Sequence, residues 1–554
     1  MKKLAIALLC LALCLPTVVL GESFAVTDAA GSGSAAFETA LSALNAGSLL
    51  DAVNGFAKLG AEEDAAHYAQ YANALLFLQR DEPDEAAQLW AGLPGFLDSA
   101  YQQAKAEALQ AHRYVQNGKF GFVNATGEWI VLPEYDWAER VFRAESAKQY
   151  ERNDAAAESA TPCLVAEVFT GTTQTTKTDT EPQTGKYGLV RTDGTLAVPV
   201  EYQSVLWAVN GVAAVTDGQS CTLYDLAQGK PIGDAYEAVG TYAEGLIPVK
   251  QSGLWGYYSP ASGKLLGNGC AWESALPFSE GYAGVSADGQ YGFIDQNGKT
   301  AVALQYTGVT SFSDGLAGVR IGKKWGFINP QGTLVIKRGY TEVGSFAFGA
   351  CPVKRGTAWG VIDAQGNVIL RIKYSEITNF DPIYHRAWIR QNKLWGLVSA
   401  SGAIAMKPTW SSRDDFNGNT LCRVGYQNKF GFVDANGKTR ILNVYDEASS
   451  FRADYAAVRG KDGKISYIDK SNKGFSLDTD VPVECRCGFI EGRVITATTV
   501  PAPTVTPAAD SAQVDAVATE APATVTTYCI AYSLYDSEGK PITIAPYTDG
   551  TAAK

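Results

Sequence analysis

The chain has 554 residues, a hydrophobic fraction of 46% and a formal net charge of −12, enough length for two or three domains and enough apolar material for a buried core. The charge is uneven: Phe37 to His112 holds eleven acidic residues against three lysines and arginines, while the remainder is close to balanced and has no basic stripe, which argues against a nucleic-acid partner. Only His67, His112 and His385 are histidines, so a His-based triad or a multi-histidine metal site has almost no material.

Met1-Lys2-Lys3 followed by the apolar run Leu4 to Leu20 reads as a secretory signal peptide over residues 1–25, with cleavage after Gly21 or Ala25. The alternative is an uncleaved anchor, since the 17-residue run could barely span a bilayer. No other apolar run is long enough to cross one, so membrane association is expected only through this segment.

Residues 37–112 are rich in Ala, Leu, Gln and Glu with apolar positions at helical spacing. Ala52, Phe56, Leu59 and Asp64 correspond to Ala86, Trp90, Leu93 and Asp98 at an offset of 34 residues. On these positions the region resembles a tetratricopeptide-type helical hairpin repeat, about two copies long. The resemblance implies a peptide-binding groove; a helical cap packed on the following region is the competing expectation.

From Lys119 the pattern changes to short alternating runs of Val, Ile, Tyr and Phe punctuated by Gly, Asn and Asp, which is β structure. An aromatic-glycine pair recurs at nearly constant spacing: Phe120-Gly121, Tyr187-Gly188, Trp255-Gly256, Tyr291-Gly292, Trp325-Gly326, Trp359-Gly360, Trp395-Gly396 and Phe430-Gly431. A second glycine follows six residues after each signature glycine, or seven at Gly263, and an aromatic follows fourteen after it, with Cys270 as the exception. Thr222 and Ser466 are degenerate slots of the same period, and Ser533, with Gly539 and Tyr547, reads as an eleventh. In the unit KWGFINPQGTLVIKRGY, Lys324 to Asn329 is a strand, Asn329 to Gly332 a tight turn and Thr333 to Lys337 the returning strand. The FSEGYAGV and FSDGLAGV stretches from Phe278 and Phe312 add a further strand entered by a glycine turn, giving three or four strands per unit.

A glycine inside a strand costs stability and implies close approach by a neighbouring ring or backbone. The aromatic at plus fourteen is the candidate ring. Asp295, Asp363, Asp434 and Asp469, like Asn124 and Asn329, are read as turn formers bonding their own backbone. Cys351 and Cys422 occupy the slot that holds Ala283 and Ala317 in other units and read as small core hydrophobes. Cys485 and Cys487 are a weak signal for metal or redox chemistry.

The KWGFINPQG, AWGVIDAQG, LWGLVSASG and KFGFVDANG segments, with the downstream aromatic, resemble WG repeats. The resemblance covers residues 114–496, with an insertion at 145–185, and returns in a terminal hairpin at 528–547. Residues 497–527, rich in Thr, Pro and Ala, are expected as a disordered excursion between them. WG repeats are widespread in bacterial proteins and, as a family, lack an established activity, so the resemblance implies architecture and transfers no catalytic residue.

The expected fold is mainly β: a tandem β-hairpin repeat array, open as a solenoid or superhelix or alternatively propeller-like, preceded by the helical region. Protein–protein interaction at or outside the cell surface is the favoured function, with an extracellular or cell-envelope protein as partner. Cell-wall glycan binding is the alternative, with the non-periodic Trp129, Trp137, Trp207, Trp272 and Trp388 as candidate ligand-facing aromatics. A glycoside hydrolase, needing only two carboxylates, is the remote third. No cofactor or metal is expected.

Overall fold

The structure is a computed structural model. It describes residues 35–544 apart from 46–47, 61–63, 81, 125, 140–163, 176–179, 268, 417–418, 452–454, 477–484, 487–488, 502–523 and 537–541. The segment read as a signal peptide, the first part of the 145–185 insertion, the middle of the Thr-rich excursion and Tyr547 lie outside the described residues.

Among the described residues five helices come first: α1 (Ala35–Asn45), α2 (Leu49–Leu59), α3 (Ala65–Gln79), α4 (Pro83–Ala91) and α5 (Ser99–Leu109). They close around Phe37, Phe56, Tyr68, Tyr71 and Trp90, all buried. Phe37, Phe56 and Tyr68 meet ring to ring at 5.1–5.2 Å, a geometry that adds about 0.5–1.5 kcal/mol per pair beyond area burial. Pro83 sits in the first turn of α4, where its missing N–H costs nothing.

Ten sheets follow, forming a propeller-like arrangement of ten blades. Blade 1 has three strands, His112–Gln116, Lys119–Val123 and Trp129–Tyr135, and each later blade has four, here called a to d. In blade 6 these are Gly308–Val309, Ala317–Ile321, Lys324–Ile328 and Leu334–Tyr340, paired antiparallel in sequence order. Strand d passes almost directly into strand a of the next blade: Tyr340 ends one sheet and Glu342 begins the next. Each chain segment therefore stitches two blades together, and the core is a series of clusters, each shared by neighbours. Phe327 and Ile336 of blade 6, for example, pack with Cys351, Val353 and Ile362 of blade 7.

The repeated residues have distinct tasks. The aromatic before each signature glycine stands opposite the aromatic at plus fourteen: Trp325 opposite Tyr340, Trp359 opposite Tyr374, Trp395 opposite Trp410. The expectation that this second ring covers the glycine is corrected. The pairing jumps from Trp325/Tyr340 to Phe327/Ile336, so strand d bulges, and its backbone crosses Gly326. A Cβ there would lie 2.6 Å from the Ile336 carbonyl oxygen and 2.9 Å from the Arg338 nitrogen. Glycine is needed because backbone, which has no alternative rotamer, occupies the space.

The turn between strands c and d fulfils its sequence reading. Asp295 accepts hydrogen bonds from the amides of Asn297 and Lys299, and Asp363 from those of Gln365 and Asn367. The glycine closing the turn, Gly332 in blade 6, has φ +75° and packs against Val302 of the preceding blade.

The same contact recurs at the two ends of the array. A Cβ on Gly127, the turn glycine of blade 1, would meet the Thr543 carbonyl oxygen at 2.4 Å and Ile542 at 3.3 Å. Residues 542–543 thus stand where the preceding blade's strand d stands elsewhere, as Ile369 does for Gly402 and Ala405 for Gly437. They follow an eleventh, three-stranded sheet, Cys485–Arg486, Phe489–Pro501 and Thr524–Asp536. Of the two arrangements open from sequence, the array takes the propeller-like one, closed by its C-terminal segment.

The ends of the Thr-rich segments are strands. Ala497–Pro501 pairs with Thr524–Tyr528 in a ribbon thirteen residue pairs long, and Val165–Thr175 pairs with Thr180–Arg191 in blade 2. This differs from the expected excursion because runs rich in Thr and Val have high β propensity and extend the hairpin begun in the sheet.

Candidate interaction surfaces

Antiparallel order places the a–b and c–d turns of every blade on one face of the ring and the b–c turns on the other. Both long ribbons are extended b–c hairpins, so they project from the second face.

The first face carries a ladder of inter-blade bonds. The a–b turns contain Glu244, Glu280 and Asp314 in left-handed backbone conformation. Each carboxylate accepts a bond from the glycine amide of the next turn: Gly281 to Glu244 at 2.9 Å, Gly315 to Glu280 at 2.9 Å, Gly349 to Asp314 at 2.8 Å. Ser279 and Ser313 donate hydroxyl protons to the carbonyls of Phe312 and Phe346 in the same direction. The acidic residues of the repeat are thus committed to holding neighbouring blades in register.

The ladder ends at blade 8, whose a–b loop reads Asp381-Pro382-Ile383-Tyr384-His385. The imidazole of His385 stacks on Phe348 with centroids 3.6 Å apart, and its Nε2 lies 3.4 Å from Oδ2 of Asp51 in α2. Ile383, 3% exposed, belongs to the core of the helical region. Lys470, in the c–d turn of blade 10, contacts the buried Glu82 at 2.6 Å. The helical region is therefore seated on the first face over blades 8 and 10, and the loop of blade 8 is built into its core. Of the two readings of this region, the cap describes what it does within the chain.

Burial holds the His385 imidazole below its ordinary pKa, against the opposing attraction of Asp51; Arg386 adds to the lowering, and Asp381 opposes it. A base with a depressed pKa binds fewer protons when docked, so its contribution is present above the ordinary imidazole range and lost as pH falls. Burial raises the Asp381 carboxyl instead, giving the opposite sign in the lower, carboxylate range. Between about pH 7 and pH 5, protection of the α2 amides against hydrogen exchange, corrected for intrinsic rate, is expected to fall. It should become independent of pH in that window in His385→Phe; a pH-dependent loss that survives this change would contradict the assignment.

The second surface is a set of cross-strand rows. Glu342 of strand a pairs with Lys354 of strand b at 2.6 Å, and the Lys354 ammonium lies 5.5 Å over Trp359 of strand c, itself opposite Tyr374 of strand d. Blade 8 repeats this as Glu376, Arg390, Trp395 and Trp410. Trp395 is buried, and Trp255, Trp325 and Trp359 are half-buried.

Of the five non-periodic tryptophans, Trp388 is 3% exposed and stacks on Phe416. Trp129, Trp137, Trp207 and Trp272 are half-buried, on blades 1, 2 and 3 and in the loop between blades 4 and 5. Trp272 forms an isolated bridge to Trp255. It takes the partner place that the plus-fourteen residue, Cys270, vacates, two residues later along the chain; the longer turn at Gly263 accounts for one of them. The structure does not gather the five into one site. Cys351 and Cys422 are buried in the core, where burial pushes both thiols up. Among the described residues no group of three or more His, Cys, Asp or Glu side chains could hold a metal ion, and no helix is long and apolar enough to cross a membrane.

Six segments of the chain match the WG containing repeat: residues 120–143, 229–255, 291–325, 325–356, 359–395 and 430–464. No curated protein matches the chain. Among solved structures, Hsv2 of Kluyvelomyces marxianus is similar over 48% of this chain and 93% of its own, at 9% identity and a TM-score of 0.27. The extracellular domain of the putative hybrid two component system BT3049 from B. thetaiotaomicron is similar over 67% of this chain and 53% of its own, at 12% identity and a TM-score of 0.22. The matched segments lie between blades 1 and 10, each running from one blade into the next; over them the chain is similar to the WG containing repeat, and its fold is a propeller-like β array preceded by an N-terminal helical region.

Proposed function

We propose that the protein is an exported, non-enzymatic scaffold that binds a protein partner at or outside the cell surface. The observation that carries the non-enzymatic part is the use of the recurrent carboxylates: Asp295 and Asp363 are spent on their own turns, Glu244, Glu280 and Asp314 on the next blade. These carboxylates already serve turns and inter-blade contacts, so their recurrence is accounted for without a role as acid or base. What differs from blade to blade is the exposed chemistry, which is where repeat proteins carry recognition. Export rests on the basic and apolar start of the chain.

The glycan alternative is supported by Trp129, Trp137 and Trp207, which are half-buried and not enclosed in the core. Photo-crosslinking of the purified protein to the envelope fraction of the producing cell, with soluble cell-wall fragments as competitor, separates the two. The scaffold reading expects a saturable protein adduct that the fragments leave intact. Adducts that fragments abolish, together with saturable co-sedimentation on isolated cell wall, would replace it by the glycan reading.

A further inference from the structure

The overall balance of the chain outside the helical region conceals a local excess. Residues 317–440, which run from blade 6 into blade 9, contain eighteen lysines and arginines against seven acidic residues, a net charge of +11 in a protein of net −12. Part of that excess is neutralised inside the blades, as Lys354 is by Glu342 and Arg390 by Glu376. Part is not. Lys337, Arg371 and Lys407 each stand eleven residues after the signature glycines Gly326, Gly360 and Gly396, on strand d of blades 6, 7 and 8. All three side chains are exposed.

Three residues before each cation is an aliphatic side chain that the fold leaves in water: Leu334 at 42% exposure, Val368 at 50% and Ile404 at 41%. Strand d is the last strand of each sheet, so these pairs lie on the terminal strand of three consecutive blades. The architecture does not demand them. The bulge over the signature glycine is made by backbone, and the same two positions hold Leu196 and Pro199 in blade 2, Thr300 and Ala303 in blade 5, and Thr439 and Leu442 in blade 9. An exposed aliphatic beside an exposed cation, repeated on adjacent units of a basic sector, is chemistry kept for something outside the fold.

We propose that strand d of blades 6, 7 and 8 is the docking site for an acidic segment of a partner protein that carries aliphatic side chains among its carboxylates. The inference rests on the scaffold reading above and places its binding site. Cations alone would suit any polyanion. The aliphatics select among them: nucleic acids and sugars are gripped by stacking on aromatic faces, whereas Leu, Val and Ile bury against apolar side chains of a polypeptide. Charge complementarity supplies the steering and the salt dependence.

The test is a fluorescence-anisotropy titration of the full protein with a labelled synthetic peptide of alternating Glu and Leu. A Glu-Ser peptide, heparin and oligo-dT of matched charge serve as comparison. The Glu-Leu peptide is expected to bind most tightly, and to weaken by about tenfold or more when salt rises from about 0.05 to 0.3 M. A similar loss, about tenfold, is expected in K337E/R371E/K407E and in L334S/V368S/I404S, with thermal melts verifying that both variants fold. Absence of Glu-Leu binding, or unchanged binding by the charge-reversed variant, would overturn the proposal. So would tighter binding of heparin or oligo-dT that the same substitutions abolish. Sedimentation of the unmodified protein completes the test: a dimer that these substitutions dissociate would mean that a second copy covers the strip. Partner crosslinking that persists in a charge-reversed variant unable to hold the peptide would reject this site and leave the scaffold reading standing. Absence of any protein adduct with peptide binding intact would reject the scaffold reading, and with it the partner protein proposed as the occupant of the strip.

Discussion

Gly396→Val is expected to lower stability by about 3–5 kcal/mol, at the severe end of single substitutions. The Cβ would fall 2.4 Å from the Met406 carbonyl oxygen and 2.6 Å from the Pro408 nitrogen. Both are backbone atoms of the bulged strand d, so relief requires moving that strand, and strand d continues into strand a of blade 9. Damage at one signature glycine therefore reaches two sheets. Gly326 and Gly360 meet the same obstruction at 2.6 Å. Gly339 is the control, because a Cβ there meets nothing within 4 Å, and Gly339→Ala should melt like the parent. Equal melting temperatures for Gly396→Val and the parent would refute the backbone-crossing account.

Removing residues 485–554 is expected to have a comparable effect by a different route. In a stack of repeats, each unit is held by its own fold and by the interfaces with its two neighbours. The eleventh unit offers one interface to blade 10 and, through residues 542–543, another to the turn at Gly127. Deleting it removes both and leaves two free ends, which should lower the melting temperature, broaden the transition and raise the radius of gyration. A truncated protein with the parent's melting curve and dimensions would mean that closure contributes nothing.

The local grammar of the blades was legible because it is written in short-range chemistry. Asp at the first turn position and Gly at the last imply the c–d turn, and the amides bonded to Asp295 and Asp363 complete it. Cys351 and Cys422 could be placed in the core because they stand where Ala stands in other copies. The glycine after the aromatic signalled close approach, but not of what: the spacing to Tyr340 was visible, whereas the bulge that turns Tyr340 away to face Trp325 is a matter of register between strands. Trp272 looked non-periodic for the same reason, since it stands two residues beyond the usual slot along the chain and yet pairs with Trp255 in space.

The long-range features were not legible at all. Ile383 enters the helical core from more than 270 residues after the last helix, and nothing in Asp381 to His385 announces this except departure from the FSDG pattern. Closure depends on where a gradual rotation between blades returns the chain, which no single unit encodes. The candidate docking strip was hidden for a simpler reason: averaging charge over everything beyond the helical region cancelled the +11 of residues 317–440 against acidic neighbours.

Closure by the C-terminal segment is the claim on which the shape of the protein rests, and a distance measurement tests it most directly. Spin labels at Thr126 and Thr543 of the full chain flank the Gly127 contact. The closed arrangement predicts a separation of no more than about 20 Å. Ten sheets stacked about 10 Å apart without closing would instead hold the labels roughly 100 Å apart, and a distribution centred far beyond 20 Å would contradict the ring.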